Sequence, residues 1–204
     1  MISIIDYRAG NLTSVKRALN HLGIPCIITD NPSEILSSER VIFPGVGAAG
    51  AAMEMIQSLK LDGIIREVID QGKPFLGICL GAQIILDSSE ENESVCLGLI
   101  SGIAKRFTGT GLKIPHMGWN HISVMRQHPV LKNIDPRAQF YFVHSYYPGP
   151  ERKADIVATT DYGIEFPSVI GTGNVIATQF HPEKSGPHGL QILKNFIDWD
   201  GRIY

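Results

Sequence analysis

Cys79 lies in the stretch GICLGAQ, residues 77–83, between two glycines at the end of an apolar run. The pattern Gly-x-Cys-x-Gly, followed by the helix-compatible segment AQIILD, is typical of a nucleophile at a tight turn from strand to helix. The backbone of such a turn is strained and needs small neighbours, while the N–H groups that begin the helix stabilise a thiolate. The alternative is a buried structural thiol, the usual state of a lone cysteine among apolar residues. The flanking glycines favour the nucleophile, whereas Cys26 and Cys96 lack them and are predicted to be packing residues.

A nucleophilic cysteine needs a base, and His181 in QFHPEKS is the best candidate among the seven histidines. It follows the strand-like run VIATQF, and Glu183 comes two residues later. Residues i and i+2 of an extended chain point to the same side, so the carboxylate could orient the imidazole. An H-x-E sequence is a weak signal alone, but together with the Cys79 turn it predicts a Cys-His-Glu triad. Four other histidines lack such a setting and are predicted to be solvated surface residues: His21, His121, His128 and His188.

The stretch FPGVG, residues 43–47, closes another apolar run. Two glycines around Val46 would let the peptides of Gly45, Val46 and Gly47 present N–H groups to a developing oxyanion. The N–H of Leu80, directly after the candidate nucleophile, is placed to contribute to the same site. An ordinary strand-to-helix turn explains FPGVG equally well, and this stretch alone does not decide between the two.

The first half of the chain alternates strand and helix signals. The runs ISII, CIIT, RVIFP and PFLGI are the continuous apolar strands that parallel, doubly covered sheets require. Helices are predicted from the N-cap Asn11 to the stop at Gly23, over residues 51–59 and over residues 62–70. The apolar face of the helix after Asn11 is predicted to be Leu12, Val15, Leu19 and Leu22.

The second half has shorter strand-like runs separated by glycine and proline, which is typical of an antiparallel extension. These runs are ISV, QFYFVH, DIVATT, IEFPSVI and NVIATQF. A last amphipathic helix carries Leu190, Leu193, Phe196 and Ile197 on one face. The predicted fold is α/β, an open, mostly parallel, doubly wound sheet with an antiparallel extension, forming one domain over residues 1–204.

Charge and cysteine content limit the possible partners and compartment. A net charge of −2 gives no reason to expect nucleic acid or a membrane surface as partner. Three widely spaced cysteines fit neither a disulfide framework nor a zinc site, and no secretory signal is visible, so we expect a cytoplasmic protein. Neither a metal nor another cofactor is expected, since ligand spacings and phosphate-binding loops are missing from the sequence.

Several motifs together resemble the class I, or triad, glutamine amidotransferases, and more narrowly the glutaminase subunits of imidazole glycerol phosphate synthases from histidine biosynthesis. The motifs are IIDYRAGNLTSV, FPGVGAAGAAM, PFLGICLGAQ, IPHMGWN, FYFVHSYY, ATQFHPEKSG and ILKNF. They cover nearly the whole chain. PHMGWN together with HPEKSG is far more specific for the narrower family than the cysteine turn, which other triad amidotransferases share. The resemblance implies a flavodoxin-like sheet and one amidotransferase domain.

The resemblance also implies a reaction. Cys79 would attack the carboxamide of L-glutamine to give a glutamyl thioester and ammonia, with His181 as acid and base and Glu183 orienting it. The segment Gly45-Val46-Gly47 and the Leu80 N–H would form the oxyanion site. The positions that would surround glutamine are Gly47, Gln83, Tyr141, His144, Ser145 and Tyr146. Two of these have plainer alternatives, a helix residue capping a buried polar group for Gln83 and aromatic core for Tyr141.

Ammonia is useful only if it reaches a second active site, and the family delivers it to a barrel-shaped cyclase subunit. The resemblance implies that the face docking this partner includes Asn11, His116, Met117, Trp119 and Lys184. Trp119 in the MGWN loop is a costly surface group unless a partner covers it, although a half-buried core tryptophan is the alternative. The resting PGVG segment is expected to lack its oxyanion N–H until the partner is engaged, so that the free chain would be a slow glutaminase.

Two departures and three rivals accompany the resemblance. Arg8-Ala9 stands where relatives more often have glycine after DY, and Ala82 stands where they more often have methionine. The rivals are a glutaminase subunit of another triad amidotransferase, such as pyridoxal phosphate synthase, a stand-alone cysteine hydrolase of related fold, and a non-catalytic scaffold subunit. PHMGWN and HSYY argue against the first, independence from a partner would mark the second, and the complete triad argues against the third.

Overall fold

The structure is a computed structural model that describes residues 1–203. Within these residues the strands are β1 (Ile2–Ile5), β2 (Cys26–Thr29), β3 (Arg40–Gly45), β4 (Phe75–Cys79), β5 (Ser88–Ser89), β6 (Ser94–Val95), β7 (Gly102–Arg106), β8 (His116–His121), β9 (Ser123–Val124), β10 (Gln139–His144), β11 (Tyr146–Pro150), β12 (Ile156–Asp161), β13 (Glu165–Thr172) and β14 (Val175–Thr178). The α-helices are α1 (Leu12–His21), α2 (Pro32–Ser37), α3 (Ala49–Ser58), α4 (Leu61–Asp70), α5 (Leu80–Ile84) and α6 (Gly186–Asp198).

The central sheet has eight strands in the order β2-β1-β3-β4-β14-β13-β12-β9. Strands β2, β1, β3, β4 and β14 pair in parallel, and β13, β12 and β9 continue the sheet in antiparallel fashion. The apolar runs of β1, β4 and β14 are buried throughout, because helices cover both sides. The predicted fold class is confirmed.

Alternation along each strand sends neighbouring side chains to opposite faces of the sheet. Ile4 packs with Val15 and Leu19 of α1 and with the apolar side of α6. Ile5, its neighbour, packs in the other core with residues of α2 to α5. The sheet thus separates two apolar cores, one beneath α1 and α6 and one beneath α2 to α5.

A two-stranded ribbon, β8 paired with β10, lies outside the central sheet. Its register sets His116 opposite His144 and Trp119 opposite Tyr141. Met117 and Trp119 are exposed, whereas His116 is buried, as a strand that covers a core on one face requires. The MGWN segment, which the sequence suggested to be a loop, is therefore part of a strand.

Most predicted elements are present with shifted ends. Helices expected over residues 51–59 and 62–70 begin two residues and one residue earlier, at Ala49 and Leu61. Helix α2 was not predicted, although Asn31 caps it by accepting from the Ser33 N–H at 2.9 Å and Pro32 occupies its first turn. No helix within residues 1–203 is long and apolar enough to cross a membrane.

Candidate active site

Cys79 ends strand β4 and immediately precedes helix α5, at the parallel sheet's carboxyl edge. Its backbone has φ 56° and ψ −104°, a conformation that a non-glycine residue adopts only under strain. Its side chain is buried in the wall of a cavity. The predicted strained turn is therefore present at Cys79.

The glycines around Cys79 are required by close backbone packing. A Cβ atom on Gly81 would lie 2.3 Å from the carbonyl oxygen of Phe43, and one on Gly77 would lie 2.9 Å from the carbonyl oxygen of Gly81. A Cβ on Gly45 would lie 2.8 Å from the Cβ of Leu80. Helix α5 thus begins in contact with strand β3, and any side chain at these positions would push the turn away from the sheet.

His181 follows β14, the parallel neighbour of β4, so its side chain reaches the same sheet edge as Cys79. Its Nδ1 lies 2.8 Å from Oε1 of Glu183, and both side chains are 2% exposed. The carboxylate accepts a hydrogen bond from the Nδ1–H group, which leaves Nε2 for a second partner. Nε2 is buried without a well-formed hydrogen bond among the described residues. The structure therefore brings Cys79, His181 and Glu183 together, as their spacing predicted.

The electrostatics of His181 reflect these two neighbours. Burial lowers the pKa of its imidazole, but the Cys79 sulfur and the Glu183 carboxylate raise it more, to about 10. An imidazolium is therefore stabilised between the two groups. A group held this way can accept a proton from the thiol and retain it while the sulfur reacts.

Gln179 is a polar residue at this site that the sequence analysis missed. Its side chain is fully buried, and its Nε2 donates to Sγ of Cys79 at 3.7 Å. Its Oε1 accepts from Nε2 of Gln83 at 3.0 Å, and Gln83 Nε2 also donates to the carbonyl oxygen of Tyr146 at 2.8 Å. An amide inside the apolar run VIATQF was the available signal, since a buried polar side chain needs partners.

A cavity of about 350 Å³ opens beside Cys79. From the predicted oxyanion and substrate positions, the cavity wall includes Val46, Gly47, Leu80, Gln83, His144, Ser145 and Tyr146. The remaining wall residues are Cys79, His181, Glu91, Pro115 and Val143. The cavity is large enough for one amino acid and borders both the sulfur and the imidazole.

Two of the predicted oxyanion and substrate positions do not line the cavity. Gly45 is buried in β3, in contact with Leu80, so it supports the segment 45–47 from behind. The ring of Tyr141 lies on the outer face of the ribbon, 6.0 Å from the ring of Trp119 and 5.9 Å from Nζ of Lys184. Tyr141 precedes buried Phe142 in the same strand, and the alternation of side chains places it on the outer face.

Val46 and Gly47 form the cavity rim. Gly47 has φ +100°, which glycine adopts readily, and a Cβ there would meet nothing within 4 Å. Beneath the rim, the hydroxyl of Tyr7 is buried without a hydrogen-bond partner in the described part of the chain. Burial raises the pKa of this phenol to about 12. The rim segment therefore lies between open cavity and a neutral, buried tyrosine.

Glu91, in the acidic stretch SSEENES of residues 88–94, also borders the cavity and was not among the predicted site residues. Its Oε2 accepts from the Ala49 N–H at 2.7 Å, where helix α3 begins. A carboxylate held by a backbone N–H at the start of a helix is fixed in direction. It offers the cavity an anchor for a cationic group.

The predicted partner face is only partly exposed. Met117 is 62% and Trp119 53% exposed, and Lys184 is exposed near Tyr141. Asn11 is half-buried, and its Oδ1 accepts from the Ser14 hydroxyl at 2.8 Å. The assignment of His116 to this face is wrong, because its side chain is 2% exposed and points to the inner face of the ribbon.

Burial tests the other predictions for histidine and cysteine. His128, expected at the surface, is 3% exposed, and burial lowers its pKa to about 4. Cys96 is buried, and burial raises the pKa of its thiol to about 11, as suits an unreactive packing residue. Cys26 is partly exposed and packs at the margin of the core beneath α1 and α6.

Comparison with known proteins gives a family and close relatives. The family described as "Glutamine amidotransferase class-I" matches residues 3–199. The imidazole glycerol phosphate synthase subunit HisH of Nitratidesulfovibrio vulgaris strain Hildenborough is 51% identical over 203 residues, covering 96% of this chain and 95% of its own. HisH of Pseudomonas putida strain KT2440 is 47% identical, covering 98% of both chains.

Solved structures share the architecture at low sequence identity. A crystal structure of a glutamine amidotransferase superposes with a TM-score of 0.74 at 17% identity, covering 98% of this chain and 99% of its own. The structure of PurLQS from Thermotoga maritima gives a TM-score of 0.73, also at 17% identity, with 97% of each chain covered. At such identity these likenesses concern the fold.

Proposed function

The chain belongs to the class-I glutamine amidotransferases, within them to the family of imidazole glycerol phosphate synthase subunit HisH, and from this premise we propose that it hydrolyses L-glutamine at Cys79 and passes the ammonia to a cyclase subunit. The observation that carries the proposal is the shared cavity of Cys79 and His181, with Glu183 bonded to the far side of the imidazole. The pathway, histidine biosynthesis, follows from the family. We also propose that the protein acts in the cytoplasm, which its three free cysteines support.

The first half of the reaction forms a thioester. Sγ of Cys79 attacks the carboxamide carbon of glutamine while its proton passes to Nε2 of His181. The tetrahedral intermediate then collapses: the carbon–nitrogen bond breaks, and the proton on Nε2 goes to the leaving nitrogen, which departs as ammonia. Glu183 accepts the Nδ1 proton in a hydrogen bond throughout, so the imidazole keeps its orientation and its charged state is stabilised.

The second half releases glutamate. Water attacks the thioester carbon and gives a proton to Nε2 of His181. The carbon–sulfur bond then breaks, and that proton passes to the sulfur, which restores the thiol. Both tetrahedral intermediates carry an oxyanion, for which Leu80 N–H and the Val46–Gly47 segment are the proposed donors. Gly45 acts behind them, because its missing side chain lets the segment lie against Leu80.

The substrate occupies the cavity with its amide toward Cys79. Glu91 would bind the α-ammonium of glutamine, since its carboxylate borders the cavity and is held there by the Ala49 N–H. The cavity is also lined by Gln83, His144, Ser145 and Tyr146. A cavity of about 350 Å³ has room for a molecule of the size of glutamine beside Cys79.

The cyclase partner would dock on the exposed ribbon face. Met117 and Trp119 are more than half exposed, and Lys184 lies over the Tyr141 ring beside them. Large apolar and aromatic side chains next to a cation form the kind of surface that a protein partner covers. The relatives' designation as synthase subunits supports a partner for this chain as well.

The test is glutamate release from glutamine by the purified chain, alone and with the cyclase subunit and its ribonucleotide ligand. We expect slow hydrolysis by the chain alone and strong acceleration by the pair. A rate that the cyclase leaves unchanged would overturn the partner assignment. A folded chain that binds the cyclase yet releases no glutamate under either condition would be a scaffold subunit, contrary to the proposal.

A further inference from the structure

His116 and His144 form a buried, hydrogen-bonded pair whose function the triad chemistry does not explain. Nδ1 of His116 lies 3.0 Å from Nε2 of His144, and Nδ1 of His144 lies 2.7 Å from the carbonyl oxygen of Tyr146. Both imidazoles are at least nine-tenths buried. His144 borders the cavity, whereas His116 does not.

The partners at both ends of the pair determine which nitrogen carries each proton. Nδ2 of Asn120 faces Nε2 of His116 at 3.4 Å and donates to the carbonyl oxygen of Asp161 at 2.8 Å, so Asn120 presents a donor. Nε2 of His116 must then accept, and its Nδ1 donates to His144. His144 in turn carries its proton on Nδ1 and donates to the Tyr146 carbonyl, which can only accept.

The hydrogen bonds continue from Tyr146 to the candidate nucleophile. The Tyr146 carbonyl also accepts from Gln83 Nε2 at 2.8 Å. Gln83 donates further to Gln179 at 3.0 Å, and Gln179 donates to the sulfur of Cys79 at 3.7 Å. An unbroken series of hydrogen bonds therefore joins the ribbon to the sulfur, and the carbonyl of Tyr146 is its shared point.

The surroundings keep this series neutral and rigid. Burial lowers the pKa of His116 to about 4 and that of His144 to about 3, so neither imidazole is charged near neutral pH. The ring of His116 stacks on Tyr162 with centroids 4.0 Å apart and on Phe142 at 4.7 Å. An imidazole held between two rings has little freedom to turn, so its hydrogen bonds have fixed directions.

We propose that His116 is a positioning residue for the glutamine site: through His144 it fixes the Tyr146 carbonyl, and through that carbonyl the amide of Gln83 and the setting of Cys79. This inference rests on the proposed function and adds a residue remote from the substrate. His116 directly precedes the exposed Met117 in β8, so the same strand carries the docking face and the first residue of the series. A partner that shifts β8 must therefore shift the support of the cavity wall.

The experiment compares three substitutions at His116 in the complex with the cyclase subunit and its ligand. His116→Phe keeps the ring stacking and removes both nitrogens. In His116→Asn the amide nitrogen takes the approximate place of Nδ1 and can donate to His144, whereas in His116→Gln it takes the approximate place of Nε2 and cannot. Glutaminase kcat and KM are measured for each variant, for the wild type and for Cys79→Ala, with the melting temperature of every sample.

We expect His116→Phe and His116→Gln to lower kcat/KM about tenfold, mainly through KM, because both lose the buried hydrogen bond to His144 and the cavity wall loses its support. His116→Asn should recover most of that loss. Equal kcat/KM in all three variants and the wild type would overturn the proposal, as would equal impairment of the Asn and Gln variants. A wild type without glutaminase activity would instead mark failure of the proposed function, and the inference would fall with it.

A second measurement covers the case in which the variants do not fold. Nitrogen-15 chemical shifts of labelled histidines in the wild type report which ring nitrogen carries the proton. Protons on Nδ1 of both His116 and His144 are expected near pH 7. A proton on Nε2 of either residue would contradict the series of hydrogen bonds, whatever the activity.

Discussion

Gly81 lies so close to Phe43 that a Cβ atom on the glycine would be 2.3 Å from the phenylalanine carbonyl oxygen. Helix α5 and strand β3 therefore meet backbone to backbone directly beside Cys79. The same closeness brings Gly45, at the end of β3, against the start of α5: a Cβ there would lie 2.8 Å from the Leu80 Cβ and 3.2 Å from the Gly81 nitrogen. One packing contact thus determines both the strained turn and the distance between the two halves of the proposed oxyanion site.

Gly81→Ala should therefore destabilise the fold and abolish glutaminase activity. The overlap involves backbone atoms on both sides, which cannot move as a flexible side chain can, so we expect a loss of about 3 kcal/mol or more in the free energy of unfolding. Urea denaturation measures the loss, and glutamate release measures the activity.

Gly63→Ala is the matched control, because Gly63 is exposed in helix α4 and a Cβ there meets nothing within 4 Å. Alanine is the better helix former, so this variant should gain about 0.5–1 kcal/mol and keep its activity. Equal behaviour of the two variants would show that the contact between α5 and β3 has no special importance.

Glu183→Gln should reduce glutaminase kcat by about 100-fold or more and leave KM nearly unchanged, because the amide still fits but no longer stabilises an imidazolium. Losing one of the groups that raise the pKa of His181 should also lower that pKa. Histidine NMR titration and steady-state kinetics measure the two effects. Glu165→Gln, at an exposed carboxylate, is the control, and an equal loss of kcat there would refute a specific role for Glu183.

Met117→Ala and Trp119→Ala should each weaken cyclase binding at least tenfold, about 1.4 kcal/mol, if the exposed ribbon face is the docking site. Met125→Ala is a close control, since Met125 is 58% exposed against 62% for Met117. Its Kd should equal that of the wild type. Titration calorimetry gives the Kd values, and weakening by Met125→Ala alone would move the interface away from the ribbon.

Acid should destabilise the protein well above the pH at which carboxylates titrate. His116 and His128 each have a folded pKa of about 4, below the ordinary 6.5, so unfolding takes up protons. Their contribution to the free energy of unfolding is complete above pH 6.5 and is lost as pH falls toward 4. At pH 5 the loss is about 2 kcal/mol for each histidine. His181, with its raised pKa, has the opposite effect: its contribution to the free energy of unfolding is present below pH 6.5 and is lost as pH rises toward about 10.

Urea unfolding at pH 7 and pH 5 tests this expectation. The His128→Phe variant should be less pH-dependent than the wild type, because a phenyl ring has no proton to gain when unfolding exposes it. Burial lowers the pKa of His128, and the nearby cation Arg126 lowers it further, to about 4. The same free energy of unfolding at both pH values in the wild type would contradict the assignment of neutral buried histidines.

Local patterns in the sequence predicted the parts of the site that depend on neighbours along the chain. Residues that are close in sequence determine the Cys79 turn and the pairing of His181 with Glu183. They also determine each of the alternating strand and helix signals. The parallel pairing of β4 with β14 then brings Cys79 and His181 to one edge, as doubly wound sheets generally do.

The mistaken residues depend on pairing that a local pattern does not contain. The resemblance implies that His116 lies on the docking face, and MGWN is predicted to be a loop. Because β8 pairs with β10 instead, alternation along the strand buries His116 and exposes Met117. The same alternation places Tyr141 on the outer face of the ribbon, outside the cavity wall. Gln179 and Glu91 were missed because their roles come from contacts with residues far along the chain, Cys79 and Ala49.

The most direct test of the account is glutamate release by Cys79→Ala, measured beside the wild type and Cys96→Ala in complex with the cyclase subunit and its ligand. Cys96 is also buried, and its alanine variant loses packing and one weak bond from the thiol to the Ser94 carbonyl oxygen at 3.6 Å, so it should keep most of the activity. The account predicts that, of the three proteins, Cys79→Ala is the one that releases no glutamate, although it still binds the cyclase. Glutamate release by Cys79→Ala at a rate near that of the wild type would contradict it.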